Sequence, residues 1–136
     1  MIEFVALLLV STLFGGMMLY SFGFAPMVFS AMPADEAGRF IRAAFPWYYL
    51  FVIGVGGLSA AILLAFNPVS AALALAIAAA GVFARQALMP RINDARDAQL
   101  QGNADAKRRF ARLHGLSVGL NFVQLFAAAW VLYRFL

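Results

Sequence analysis

The chain has 136 residues, of which 65% are hydrophobic and 12% charged, against roughly 45–50% and about 25% in an ordinary soluble domain. Ten Lys and Arg outweigh six Asp and Glu, and the absence of cysteine excludes disulfides, thiolate metal sites and iron–sulfur clusters. With His114 as the one histidine, a single chain cannot assemble a multi-histidine metal site.

A mean hydropathy of +0.87 leaves more apolar surface than a fold of this length can hide from water. Lipid is therefore the expected solvent for much of it. A spanning helix needs about 20 mostly apolar residues, and four segments qualify, near residues 2–26, 46–66, 69–89 and 113–133. The first is read as a retained span, not a secretory signal, because no basic side chain precedes Arg39. Pro26 removes a backbone donor and is expected to kink its inner end.

Residues 31–45 form the first connection. Pro33 with Asp35 and Glu36 favours a helix start. Ala37, Phe40, Ile41, Ala44 and Phe45 then share a face, flanked by Arg39 and Arg42. Two readings fit this pattern: a short amphipathic helix lying at the membrane interface, or a cytoplasmic extension of the second span. The interfacial helix is carried forward as the expectation. Phe45-Pro46-Trp47-Tyr48-Tyr49 opens the second span with the aromatic rings typical of a lipid–water boundary.

Asn67-Pro68 joins the second and third spans with almost nothing between them, which predicts antiparallel neighbours. Thr12, Gly16, Leu19 and Gly23 share one side of the first span, and Gly54, Gly57, Ala61 and Ala65 one side of the second. Small-residue stripes of this kind let helices approach closely. The alanine-rich third span, Ala71 to Ala80, gains little from lipid contact, which raises a homo-oligomer as a hypothesis. Residues 90–112 are polar and rich in helix formers. Gly102-Asn103 interrupts them, and Asn103 or Asp105 is placed to cap the helix that follows. A helical hairpin projecting into the cytoplasm is the expectation.

Orientation follows from charge. The two longer connections and the span ends beside them hold nine of the ten basic residues, and the other side holds only Arg134. Positive charge stays cytoplasmic, so both termini are expected outside, in what would be a bacterial inner membrane. Lys107, Arg108, Arg109 and Arg112 sit about one turn from the bilayer and suit anionic lipid headgroups. Nucleic acid is not an expected partner, since no recognition fold surrounds them.

At 100° per residue, His114, Ser117, Asn121 and Gln124 fall on one narrow stripe of the fourth span. A polar ladder in lipid must face protein or water. It forms either a ligand site descending from the cytoplasmic surface or a set of interhelical staples. His114 could titrate, accept a proton or ligate haem, or simply bond a carbonyl or headgroup. Paired carboxylates within a span, a recognisable nucleophile–histidine–acid set and a phosphate-binding glycine loop are all missing.

Phe45-Pro46-Trp47-Tyr48, Met89-Pro90-Arg91 and His114-Gly115-Leu116-Ser117 with Asn121 resemble signatures of the domain-of-unknown-function 4149 family. That family groups bacterial four-helix membrane proteins with eukaryotic transmembrane protein 205. Pro26-Met27-Val28-Phe29 and Ala37-Gly38-Arg39 are similar to its first-loop pattern. The resemblance implies a four-helix integral membrane fold and names no reaction. The association of some eukaryotic members with platinum-drug resistance implies transport or trafficking, but a chain with no cysteine and six methionines does not support soft-metal handling. Pro90-Arg91-Ile92-Asn93 is also similar to small four-span membrane proteins of the anthrone-oxygenase-like type, which would imply redox chemistry on lipophilic substrates.

The expectation is thus an all-α, four-helix integral membrane domain over residues 1–136, with both termini outside. Its leading function is non-enzymatic binding or passage of a small solute, ion or lipophile near His114, Ser117, Asn121 and Gln124. One alternative is a redox protein holding haem or a quinone-like ligand, and another is an assembly subunit without a ligand. No metal site is expected.

Overall fold

The structure, a computed structural model, describes residues 1–136 and is entirely helical. Four long helices account for it: α1 (Ile2–Ala31), α2 (Ala34–Leu63), α3 (Pro68–Leu100) and α4 (Ala104–Tyr133). Each is long and apolar enough to cross a membrane, the architecture of a multi-pass membrane protein. Only 28 of the 136 residues are buried, and large apolar side chains such as Phe4, Leu19, Leu64, Phe126 and Trp130 are exposed, as lipid contact allows.

Local chemistry sets the helix ends. Asn67 caps α3 by accepting from the Ser70 amide at 3.1 Å, and Pro68 takes the first helical position, where its missing donor costs nothing. Gly102, at φ +91°, makes the sharp turn out of α3. Asn103 then caps α4 through the amides of Asp105 and Ala106, at 3.0 and 3.2 Å. The hairpin between the third and fourth spans and its asparagine cap are as expected.

Two of the helices contain a wider, π-type turn: Leu19–Phe24 in α1 and Ala84–Leu88 in α3. Each lies just before a proline, Pro26 and Pro90. An in-helix proline ring collides with the carbonyl four residues back. Sliding the ladder to i→i−5, seen in Ala25 N–H to Tyr20 O and Met89 N–H to Ala84 O, relieves the crowding. The kink expected from Pro26 therefore takes the form of a wide turn upstream of it.

The helices form a ring in which α2 packs on α1 and α3, and α4 closes it against α1 and α3. Around the middle of the bundle the core includes Leu13, Met17, Val52, Ile77 and Leu125. Toward the termini it continues through Ala6, Val10, Leu63, Ala74 and Val131. Arg134 closes that end by donating to Ser70 Oγ at 3.2 Å and Asn67 Oδ1 at 3.4 Å.

Two expectations are corrected. Residues 34–45 are not a separate interfacial helix but the first turns of α2, which runs unbroken through Pro46. Their apolar face is already used: Ala37 and Ile41 are buried against Val28 near the end of α1, with Phe45 packed alongside. The packing stripe of α2 is also not the one the small residues marked. Gly54 and Gly57 have open space where a Cβ would stand, whereas a Cβ at Gly56 would sit 3.4 Å from the Ala78 Cβ. Gly81 of α3 meets Val52 and Ile53 as closely. In α1 it is Gly16 that matters, because the Phe51 ring occupies the space of its missing side chain.

Candidate functional site

At the end of the bundle away from the termini, the ring opens. The last turns of α1 pack on the first turns of α2, and the last turns of α3 pack on the first turns of α4. Between these two arms lies a cleft of about 940 Å³, with walls drawn from all four helices. One ion pair bridges it. Arg42 of α2 donates both terminal nitrogens to Asp97 of α3, at 2.6 and 3.1 Å. This is the only salt bridge in the structure.

The floor of the cleft is polar and neutral. Asn121 is its hub: Tyr48 donates to Asn121 Oδ1, and Asn121 Nδ2 donates to Ser21 Oγ at 2.9 Å. One side chain of α4 is thereby joined to α1 and α2. One turn nearer the mouth, Tyr49 Oη and Ser117 Oγ stand 3.1 Å apart in a second α2–α4 bond. Tyr20 completes the wall, its ring stacked on Tyr48 with centroids 4.2 Å apart. Its hydroxyl is buried and has no hydrogen-bond partner.

The ladder read from the sequence divides in two. His114, Ser117 and Asn121 all line the cleft. Gln124 does not: it is 4% exposed and donates to the Ile77 carbonyl of α3 at 2.9 Å. It is a staple beneath the floor, since a helix turning 100° per residue meets a different neighbour one turn further on. His114 lies on the open wall, stacked on Phe110 with centroids 5.7 Å apart. It offers one imidazole face and no second histidine exists to oppose it. No three His, Cys, Asp or Glu side chains gather anywhere.

Lys107, Arg108, Arg109 and Arg112 are exposed on α4 and none lines the cleft. The cations that do line it are Arg39, Arg42 and Arg96. In the sequence alone, Arg39 and Arg42 are flanks of an amphipathic face, and Tyr48 and Tyr49 are interfacial aromatics. Tyr20 and Ser21 carry no signal in the sequence, and Arg96 counts there only as one of the basic residues that set the orientation. The polar stripe of α4 was visible because it is periodic on one helix; its partners are single residues on α1 and α2, which only packing brings together.

Comparison with known families gives a match over residues 8–101 to the family described as domain of unknown function (DUF4149). The chain belongs to this family. The matched residues include Phe45-Pro46-Trp47-Tyr48 and Met89-Pro90-Arg91, two of the elements carrying the resemblance, and end before α4. His114-Gly115-Leu116-Ser117 and the Asn121 hub therefore lie beyond them. No curated protein and no solved structure matches the chain.

Proposed function

We propose that this protein takes a small amphipathic molecule from the bilayer into the cleft and holds it there without chemical change. The observation that carries the reading is the cleft itself, about 940 Å³ between the two arms, with mostly apolar walls and the polar side chains of Ser117 and Asn121 at its floor. The volume fits such a ligand, since sites for drug-sized molecules run to roughly 300–1,000 Å³ and combine apolar walls with a few fixed polar groups. His114, Ser117 and Asn121 supply the polar contacts.

In the proposed orientation the cleft opens to the cytoplasm and both termini face outward. The support is the nine of ten basic residues at that end. Lys107, Arg108, Arg109 and Arg112 would hold the α4 arm against anionic headgroups of a bacterial inner membrane. Exposed Ala72, Ala76 and Ala79 leave a smooth face on α3 for a second copy.

The test uses Gly38, which lines the cleft and has nothing within 4 Å of the position a Cβ would take. A Gly38→Phe side chain would start from open space at the cleft wall. Native mass spectrometry of protein extracted from its host membrane should find one small lipophilic adduct per chain, lost in Gly38→Phe at unchanged thermal stability. A bare wild-type chain, or an adduct indifferent to this substitution, overturns the reading. The second reading, an assembly subunit without a ligand, is favoured by Gln124 and Asn121, whose bonds across helices are staples in their own right. It predicts that Asn121→Leu disperses a partner complex while no adduct is ever found.

A further inference from the structure

The proposed ligand has a polar end, and the cleft discriminates which kind. Of the residues that line it, Arg39, Arg42 and Arg96 are cationic and Asp35 alone is acidic. Arg42 is neutralised by Asp97. Arg39 and Arg96 have no carboxylate partner, since the structure contains no other ion pair. Arg96 is nonetheless held in place. It donates to Gln99 Oε1 at 3.2 Å, and its guanidinium lies over the Phe110 ring, 5.6 Å from the centroid. Both contacts orient the planar fork and neither cancels its charge. A guanidinium so positioned is suited to an oxyanion, which it can bind through two parallel hydrogen bonds.

The distance from this cationic mouth to the neutral floor is set by helix rise. Both Phe110 and Phe122 of α4 line the cleft, and at 1.5 Å per residue they lie about 18 Å apart along the axis. The wall between is largely apolar, with Phe29, Ile92 and Val118 facing the space. A compact ion would touch one end of such a cleft only. A chain with a charged head would use its full length.

We infer that the cleft binds a single-chain amphiphile with an oxyanion head, the head at Arg39 and Arg96 and the chain lying along the apolar wall of Phe29, Ile92 and Val118. This rests on the ligand-holding reading above and specifies the ligand's charge and shape.

The experiment measures binding of dodecyl phosphate, dodecanol and inorganic phosphate to the full chain in phosphatidylcholine nanodiscs, by native mass spectrometry against empty discs. The expected result is one dodecyl phosphate per chain, dodecanol at least tenfold weaker, and no retention of inorganic phosphate. The double variant Arg39→Gln/Arg96→Gln should bring dodecyl phosphate down to the level of dodecanol. Arg108→Gln/Arg109→Gln, which removes two cations that do not line the cleft, should leave it unchanged. Arg96→Lys retains the charge and loses the fork, and an intermediate loss supports the oriented guanidinium even should the double variant fail to fold.

Equal binding of dodecanol and dodecyl phosphate, both abolished by Gly38→Phe, would overturn the assignment of the head and keep the cleft as a lipophile site. Inorganic phosphate binding as tightly as its dodecyl ester would overturn the chain. An equal loss from the Arg108/Arg109 control would reduce the effect to general surface attraction and overturn the site. Binding of any probe that ignores Gly38→Phe, or no binding at all, would overturn both this inference and the reading on which it rests.

Discussion

Asn121 and Ser21 are separated by 100 positions in the chain and by 2.9 Å in the bundle, with the amide nitrogen donating to the hydroxyl oxygen. Tyr48 donates to the same amide from the other side. Asn121→Leu therefore leaves two hydroxyls in an apolar setting without their partner. Interhelical hydrogen bonds in membranes average about 0.6 kcal/mol and reach about 1.7, so the loss of both contacts should cost about 1–3 kcal/mol. Unfolding in mixed micelles with a graded denaturing detergent measures it. Gln124→Leu, which loses one bond, should cost less and leave amphiphile binding intact.

On α2, the contact with α3 depends on Gly56 and ignores its neighbour Gly57. A Leu side chain at position 56 meets the Ala78 Cβ and the backbone of Ala74 and Ala78 at about van der Waals distance from its Cβ alone. The rest of the side chain has nowhere to go, and overpacking of this kind costs about 1–3 kcal/mol. Gly57→Leu, with open space around it, should be neutral or slightly stabilising. The same denaturing titration compares the pair.

Gly38 gives the opposite sign. It lies within a helix, where glycine is about 1 kcal/mol less favourable than alanine, and its missing Cβ has no neighbour. Gly38→Ala should raise the thermal midpoint while leaving the cleft open. Gly38→Phe should fill the cleft at no loss of stability, so the two variants separate folding from occupancy.

The Arg42–Asp97 pair responds to acid. The hydrogen bond from Arg42 holds the Asp97 carboxyl below its ordinary value of 3.8. A carboxylate lowered in this way contributes its stabilisation above the ordinary value and loses it as pH falls through the lowered one. The link between the two arms should therefore persist at neutral pH and open only in strong acid. Both partners are exposed and the pair is screened by salt. Spin labels on the two arms, at positions 36 and 98, should report a longer distance in acid, or in Arg42→Gln at any pH. An unchanged distance in both would show that packing alone fixes the arms.

Much of this molecule is legible in its sequence because lipid imposes long apolar runs with clear punctuation. Asn67-Pro68 and Gly102-Asn103 mark turns through chemistry that acts within a few residues. The α4 stripe is legible for the same reason, being periodic on one element. What stays hidden is whatever depends on a second helix. The face formed by Ala37 and Ile41 has the pattern of a membrane-surface helix, and only the presence of Val28 shows that protein covers it. Gly54 and Gly57 look like packing residues by type, yet rotation about α2 turns Gly56 to the partner instead. Tyr20 is one aromatic among many until its hydroxyl is found without a partner.

The wide turn at Leu19–Phe24 holds one residue more than an ordinary turn would. Everything after it is therefore rotated by about 100° relative to an uninterrupted helix. Deleting a single residue there would keep both halves helical yet swing Val28 off Ala37 and Ile41 and turn Phe29 away from the cleft. The shape of this wall depends on how many residues precede it as much as on which they are. A one-residue gap at this point in a homologous chain is then a change of binding geometry, even where every side chain around it is retained.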